Sequence, residues 1–426
     1  MGTVRVHGPT ELLPQIIAHR GGAPRLIPEH SLAAYAIGAE QGAHYIEPDL
    51  QVSRDGMLFC MHDSKLGATT NIATRRDFAS RRRTPSSTGS FPVSTESESG
   101  SGTVENEGLG DWLVEDFDAS ELLDLQLRPR ECMETAANTS HRNCAVGSLP
   151  GAQFDFRQRP VLFREMLQLT KQLSLKLGRQ IGVAPETKRA KFYRARGVQF
   201  EKALLHELHS AGFLTLKRGV YATAANSPGR VILQSMDETS LRIMRNATDS
   251  SVRIVQGMSE GDDLSPASFS AIASYAHGVA LPLDVLESHD DAGKQVVSSA
   301  RAHGLQLLAW TLRNDAKRHA LALELELDAV FSDDVASSAA FFAAAHGLCG
   351  AACVAAGPAE RLIDGLDQLA EGMHLPAPMG SAAALLLAAA TTGAFVALGL
   401  LSCYRNRSAR TRTVFGGHQF QFVYSQ

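Results

Sequence analysis

Short, β-rich apolar runs recur along this chain, with helix-like stretches between several of them. The runs are Ile16–His19, Tyr45–Gln51, Leu58–His62, Ile181–Glu186, Val231–Ser235, Val252–Gln256, Leu307–Thr311 and Ala329–Ser332. The clearest intervening helical stretches are Ser31–Gln41, Leu162–Leu177, Phe200–His209 and Ala292–His303. Eight strands separated by helices predict a parallel barrel rather than a sandwich. A doubly wound open sheet is the alternative compatible with the same pattern.

The strand ends carry the chemistry. The first ends in A-H-R-G-G, with His19 and Arg20 at the tip. The second reads Y-I-E-P-D-L-Q; in a strand, Glu47 and Asp49 point to one face because side chains alternate. The third ends in M-H-D with His62, and the fourth in P-E-T-K with Glu186 and Lys188. In a parallel barrel the C-terminal strand ends meet at one mouth. Three carboxylates gathered there repel unless a cation neutralises them, and oxygen donors suit Ca²⁺ or Mg²⁺. Arg20 and Lys188 suit an anionic phosphate, and two histidines can divide acid and base work. Taken singly, a Glu-x-Asp pair is usually a solvated face. Its coincidence with the other strand ends is what points to a site.

Composition narrows the partners. Lys plus Arg is 41 against 45 Asp plus Glu, a net charge of -4, so no nucleic acid is expected. The six cysteines form no C-x-x-C pair. Cys132 and Cys144 could bridge locally or remain free thiols.

The segment 84–110 is Ser/Gly-rich without apolar periodicity and predicts a disordered surface insertion. Residues 346–380 are expected to be a linker. Positions 381–403 carry no charge and are long enough for a transmembrane helix. Acidic residues precede that run, and Arg405, Arg407, Arg410 and Arg412 open the basic tail 404–426. The charge bias predicts a single-pass membrane protein with a cytoplasmic tail and a lumenal or extracellular barrel. The sequons at Asn138 and Asn246 fit that side. Met1–Gln15 hold no apolar signal-peptide core, which keeps a tail-anchored cytosolic barrel open.

In order along the chain stand H-R-G-G, P-E-H-S-L-A-A-Y, G-A-H-Y-I-E-P-D-L-Q-V-S-R-D-G and M-H-D. P-E-T-K, I-L-Q-S-M-D, W-T-L-R-N-D and D-A-V-F-S-D follow. This series resembles the glycerophosphodiester phosphodiesterase family, most closely its periplasmic bacterial and plant-type branch. The likeness covers about residues 16–333 and is interrupted by the Ser/Gly-rich insertion. It implies a TIM (β/α)8 barrel over residues 1–345, with His19 and His62 as the catalytic pair. It implies Glu47, Asp49 and Glu186 as ligands of one divalent cation, Ca²⁺ or Mg²⁺. Arg20 would bind phosphate, braced by Glu29; Lys188 and Gln234 would line the pocket. Trp310 would pack on the glycerol part, or else serve as a barrel-core aromatic.

The implied reaction is hydrolysis of a small-molecule glycerophosphodiester to an alcohol and glycerol 3-phosphate, in glycerophospholipid breakdown. The glycerol hydroxyl attacks phosphorus, and water opens the resulting cyclic phosphate. Departures are small: His30 and Ser31 stand where P-E-N-T is usual, Thr187 replaces Ile, and Met236 replaces Phe. Two rival readings remain. One is a lysophospholipase D on the same barrel; the other is a catalytically inactive, membrane-anchored binding protein.

Overall fold

Parallel barrel strands are buried on both faces and therefore read as continuous apolar runs. The computed structural model describes residues 13–22, 27–83, 110–130, 158–287 and 292–345. Its barrel lies within the unit Met1–Ala339. The strands are β1 Gln15–Ala18, β2 Tyr45–Ile46, β3 Asp49–Val52, β4 Leu58–Cys60, β5 Val161–Leu162, β6 Gly182–Val183 and β7 Glu186–Thr187. There follow β8 Leu214–Lys217, β9 Val220–Thr223, β10 Ile232–Ser235, β11 Arg253–Gly257, β12 Gly278–Pro282, β13 Gln306–Leu312 and β14 Ala329–Ser332.

β14 pairs in parallel with β1, β1 with β2, and β2 with β6. β3, β7, β10, β11, β12, β13 and β14 continue in parallel and complete the circle. Two barrel staves are each broken into two strands, β2/β3 at Glu47-Pro48 and β6/β7 at Ala184-Pro185. Proline has no N–H to give a ladder. The carbonyls of Pro48 and Pro185 still accept from Glu186 and Gln234, so the ring stays hydrogen-bonded across the breaks. Inside it, Ile17, Tyr45, Ala184, Ile232, Val255, Ala280, Leu308, Ala329 and Phe331 form the core, with at least one residue from each stave.

The expected barrel is therefore present, with one strand reassigned. Leu58–His62 is not a barrel stave. Its core, β4, runs antiparallel to β3 and pairs Leu50 with Cys60. The missing eighth stave is β12, G-V-A-L-P, whose terminal Gly and Pro read in sequence as turn punctuation. The β8–β9 hairpin lies outside the ring. All four expected helices form, as Leu32–Glu40, Phe163–Leu177, Phe200–Ser210 and Ala292–Ala302.

The β4 hairpin leans on a satellite core of Phe59, Met61, Leu66, Ile72, Phe78, Trp112, Val114, Phe117, Leu122, Leu125 and Leu162. Among the described residues, no helix is long and apolar enough to cross a membrane. The segments 84–109, 346–380, 381–403 and 404–426 lie outside the described residues, as do Cys132, Cys144 and the Asn138 sequon. Asn246 is exposed in the helix Glu238–Ala247.

The turn after β1 is pressed from below. Helix Leu32–Glu40 is capped by the Ser31 side chain, which accepts from the Ala34 N–H, and Ala33–Ala39 are all buried. Gly38 lets that helix approach the His19–Gly21 turn: a Cβ there would lie 2.4 Å from the Gly21 carbonyl oxygen. Gly38→Ala gains up to about 1 kcal/mol of helix propensity. Overpacking against backbone costs about 1–3 kcal/mol, so the clash wins. We expect Gly38→Ala to lower the urea midpoint by the equivalent of about 1–2 kcal/mol. A midpoint at or above that of the parent would mean that the turn has room to yield.

Candidate active site

At the mouth of the barrel, the two breaks at Pro48 and Pro185 set three carboxylates side by side. Glu47 ends one half-stave and Asp49 begins the next, in register with Glu186 across the β3–β7 pair. One oxygen of each lies within 4.8 Å of the others. Glu47 and Asp49 are buried at 1% and 2% exposure, so their repulsion is poorly screened. At an effective dielectric near 20, each pair at that spacing repels by about 3.5 kcal/mol. Burial and then the neighbouring Asp49 push the Glu47 carboxyl well above the usual range. Burial likewise pushes Glu186 up. Asp49 goes the other way: burial is outweighed by Lys188, His62, His30 and Arg20, which hold it well below.

Cations surround the trio. Lys188 Nζ donates to Glu186 at 3.1 Å and lies 3.6 Å from Asp49. Arg20 sits in the left-handed region at φ 52°, and its backbone N–H donates to Glu47 at 2.7 Å. Its Nε lies 3.4 Å from Asp49, and its Nη1 is 3.4 Å from both Glu29 oxygens. The buried Nε has no hydrogen-bond partner among the described residues. That orphan donor and the exclusively oxygen ligand set fit a hard divalent cation with an anion beside it.

Each expected histidine is held by a carboxylate. His19 Nδ1–H donates to Asp333 at 2.7 Å, tying the turn after β1 to the end of β14. His62 Nδ1–H donates to Asp63 at 2.6 Å. These bonds fix the tautomer and leave Nε2 as the basic nitrogen of each ring. His62 comes to the site by a different path from the one read in sequence. β3 continues beyond its pairing with β7, and antiparallel β4 brings the chain back. The Met61 N–H then donates to the Asp49 carbonyl, and Gln51 donates to the His62 carbonyl, both at 2.8 Å. Burial, then Arg20 and Lys188, push the His62 imidazole down to about 3.

Of the ten site residues expected from sequence, eight lie at strand ends or in the adjoining loops, and Gln234 and Trp310 lie within β10 and β13. Glu29 is braced less by Arg20 than by Arg130, which donates to it at 2.8 and 2.6 Å. Gln234, in register with Glu186, donates to the Ala184 carbonyl at 2.5 Å. Trp310 is half-buried against the barrel core, and its indole donates to Ala280 at 3.3 Å, which favours the core-aromatic role.

Four further residues belong to the site and escape the sequence reading. Asp63 ends M-H-D and Asp333 ends D-A-V-F-S-D, and proximity to a strand tip was the available signal. His30 shows in sequence only as a departure from P-E-N-T. Its Nε2–H donates to Asp49 at 3.1 Å, while Tyr35 O–H donates to its Nδ1 at 2.8 Å. Arg130 has no sequence signal at all, lying 67 residues from Asp63 and 101 from Glu29.

The profile of the Glycerophosphoryl diester phosphodiesterase family matches residues 19–337. A glycerophosphodiester phosphodiesterase of Arabidopsis thaliana is 28% identical over 242 residues, 56% of this chain and 54% of that protein. A glycerophosphoinositol inositolphosphodiesterase of Mus musculus is 48% identical over 61 residues, 14% of this chain and 11% of that one. The chain thus aligns with about half the length of the plant relative and far less of the mouse one. Among solved structures, a phosphodiesterase of Oleispira antarctica in complex with the product sn-glycerol 3-phosphate superposes with a TM-score of 0.52 at 18% identity. That match covers 79% of this chain and 99% of the solved one, and it supports the TIM-barrel fold.

The depressed His62 value has a signed consequence. In the unfolded chain the ring takes up a proton below about pH 6.5; in the folded chain it stays neutral until about 3. Stability contributed by this group is therefore lost as pH falls from about 6.5. Removing the ring should flatten the acid slope by up to about 1.4 kcal/mol per pH unit. Urea melts of the parent and His62→Gln at pH 7, 6, 5 and 4 measure it. Parallel slopes would mean that the imidazole is not buried neutral.

Proposed function

The chain belongs to the glycerophosphoryl diester phosphodiesterase family, and from that premise we propose that it hydrolyses glycerophosphodiesters to an alcohol and glycerol 3-phosphate. The observation that carries this reading is the gathering of Glu47, Asp49 and Glu186 within 4.8 Å beside Arg20, Lys188 and two carboxylate-braced histidines. The product bound to the Oleispira antarctica protein belongs to the same chemical class.

Glu47, Asp49 and Glu186 would hold one divalent cation, Ca²⁺ or Mg²⁺, which when bound would offset charge developing on the phosphoryl oxygens. The chain's own groups do the rest. Arg20 presents its guanidinium to the phosphate, with Lys188 adding a second positive charge beside Asp49. The glycerol hydroxyl next to the ester attacks phosphorus and expels the alcohol. Water then opens the cyclic phosphate. His19 and His62 divide the proton transfers, each with Nδ1 committed to a carboxylate and Nε2 available to substrate. Gln234 borders the pocket, while Trp310 packs against the barrel core beneath it. The uncharged run 381–403 anchors the barrel in a membrane, and the arginines after it keep the tail cytoplasmic.

A panel of glycerophosphodiesters, with and without chelator, tests the chemistry. Chelator should abolish turnover, and Glu47→Gln should lose activity and metal response together. Full turnover in excess chelator would rule out the cation. A second readout needs no substrate. The Glu47 carboxyl is raised in the folded, metal-free chain, so its ionisation opposes folding as pH rises. Added cation should therefore raise Tm more at pH 7.5 than at pH 5, and Glu47→Gln should reduce that difference.

Topology is tested in cells. An epitope after Gln426 should be reachable only after permeabilisation, and endoglycosidase should shift the mobility of the chain. An unglycosylated barrel, digested from the cytosolic side of sealed membranes, would instead establish the tail-anchored arrangement.

A further inference from the structure

The geometry points to Arg130 as a positioning residue for both halves of the site: one guanidinium fixes the carboxylate behind His62 and occupies the glutamate that would otherwise clamp Arg20. This rests on the phosphodiesterase reading above.

Arg130 spends its whole fork on two carboxylates. Its Nη1 donates to Asp63 Oδ2 at 2.6 Å, while Nε and Nη2 donate to Glu29 Oε2 and Oε1 at 2.8 and 2.6 Å. Asp63 thus has both oxygens engaged, Oδ2 by Arg130 and Oδ1 by His62 at 2.6 Å. A carboxylate held at both ends cannot rotate, and the plane of the imidazole that it carries is fixed with it. On the other side, Glu29 is 5% exposed and needs a strong partner. Arg20, nine residues away, is the alternative. Because Arg130 takes the short two-point geometry, Arg20 is left with two long 3.4 Å contacts to Glu29, and its buried Nε, 3.4 Å from Asp49, has no hydrogen-bond partner among the described residues. An incoming phosphate then competes for Arg20 with long 3.4 Å contacts to Glu29 rather than with a short two-point clamp.

Arginine is required for this task. Only a planar fork reaches three oxygens on two carboxylates at once; a lysine supplies one point charge. Arg130 sits on none of the barrel strands. It follows the stretch whose Trp112, Val114 and Phe117 pack in the satellite core under the β4 hairpin. The same unit therefore delivers His62 and braces it.

The two contacts predict a split in the kinetics. Loosening Asp63 misorients His62 and lowers kcat, by about ten- to hundredfold on the scale of a misplaced catalytic group. Releasing Glu29 onto Arg20 weakens phosphate binding and raises KM. With the full chain, glycerophosphocholine and a divalent cation, Arg130→Ala should show both effects. Added methylguanidinium should restore part of kcat, and Arg130→Lys should fall between. A spectroscopic readout runs without turnover. In the histidine-¹⁵N-labelled chain, the His62 Nδ1 proton is assigned by its loss in His62→Gln. It should shift or broaden in Arg130→Ala.

Unchanged KM and an unchanged Nδ1 proton in folded Arg130→Ala would overturn the proposal. If that variant does not fold, the same two measurements on Arg130→Lys decide in its place: a raised KM and a shifted proton support the role, and no change in either overturns it. A parent chain inactive on every diester, whose Nδ1 proton still shifts or broadens in Arg130→Ala, would defeat the phosphodiesterase reading and leave the positioning role standing.

Discussion

Mutual repulsion among Glu47, Asp49 and Glu186 is the condition to which the rest of the mouth responds. Three carboxylates within 4.8 Å, two of them almost fully buried, do not settle there by themselves. The fold answers with fixed hydrogen-bond donors and an ammonium rather than with solvent. Lys188 leans between Glu186 and Asp49, the Arg20 backbone donates to Glu47, and His30 donates to Asp49. The compensation is uneven. Asp49 is held charged while Glu47 and Glu186 are pushed toward their neutral forms. Such imbalance suits a site that takes up a divalent cation.

The backbone makes room for this crowding by breaking two adjacent staves at the same level. Uninterrupted strands would carry Glu47 and Asp49 up one face, roughly 6–7 Å apart along the chain at about 3.3 Å per residue. At the Pro48 and Pro185 interruptions one oxygen of each carboxylate nonetheless lies within 4.8 Å of the others, and β3 runs on beyond its pairing with β7. The hairpin that follows allows His62 to come from outside the ring of staves. Its cost is an exposed apolar flank, which the satellite core of residues 59–125 covers.

The barrel and the gathering of Glu47, Asp49 and Glu186 beside Arg20 and Lys188 were legible in sequence because chemistry-bearing residues sat at strand tips with motif spacing. The limits were physical. β12 was missed because Gly278 and Pro282 punctuate it, although a strand buried on both faces tolerates them at its ends. β4 was given the wrong role because an apolar run does not disclose its direction. Arg130 was invisible because its partners are 67 and 101 residues away, and nothing local marks a guanidinium that will be shared. His30 stood in P-E-H-S but needed Asp49 beside it to acquire meaning.

His19 and its carboxylate partner Asp333 are separated by 314 positions and meet only where the last stave docks beside the first. During synthesis the ring therefore waits for almost the whole barrel to emerge before anything orients it. A nascent or truncated chain can present the Glu47–Asp49 pair and the His62 hairpin, but not a braced His19. The His19 brace thus comes into register only with the closure of the ring, the last step of the chain's path around the barrel.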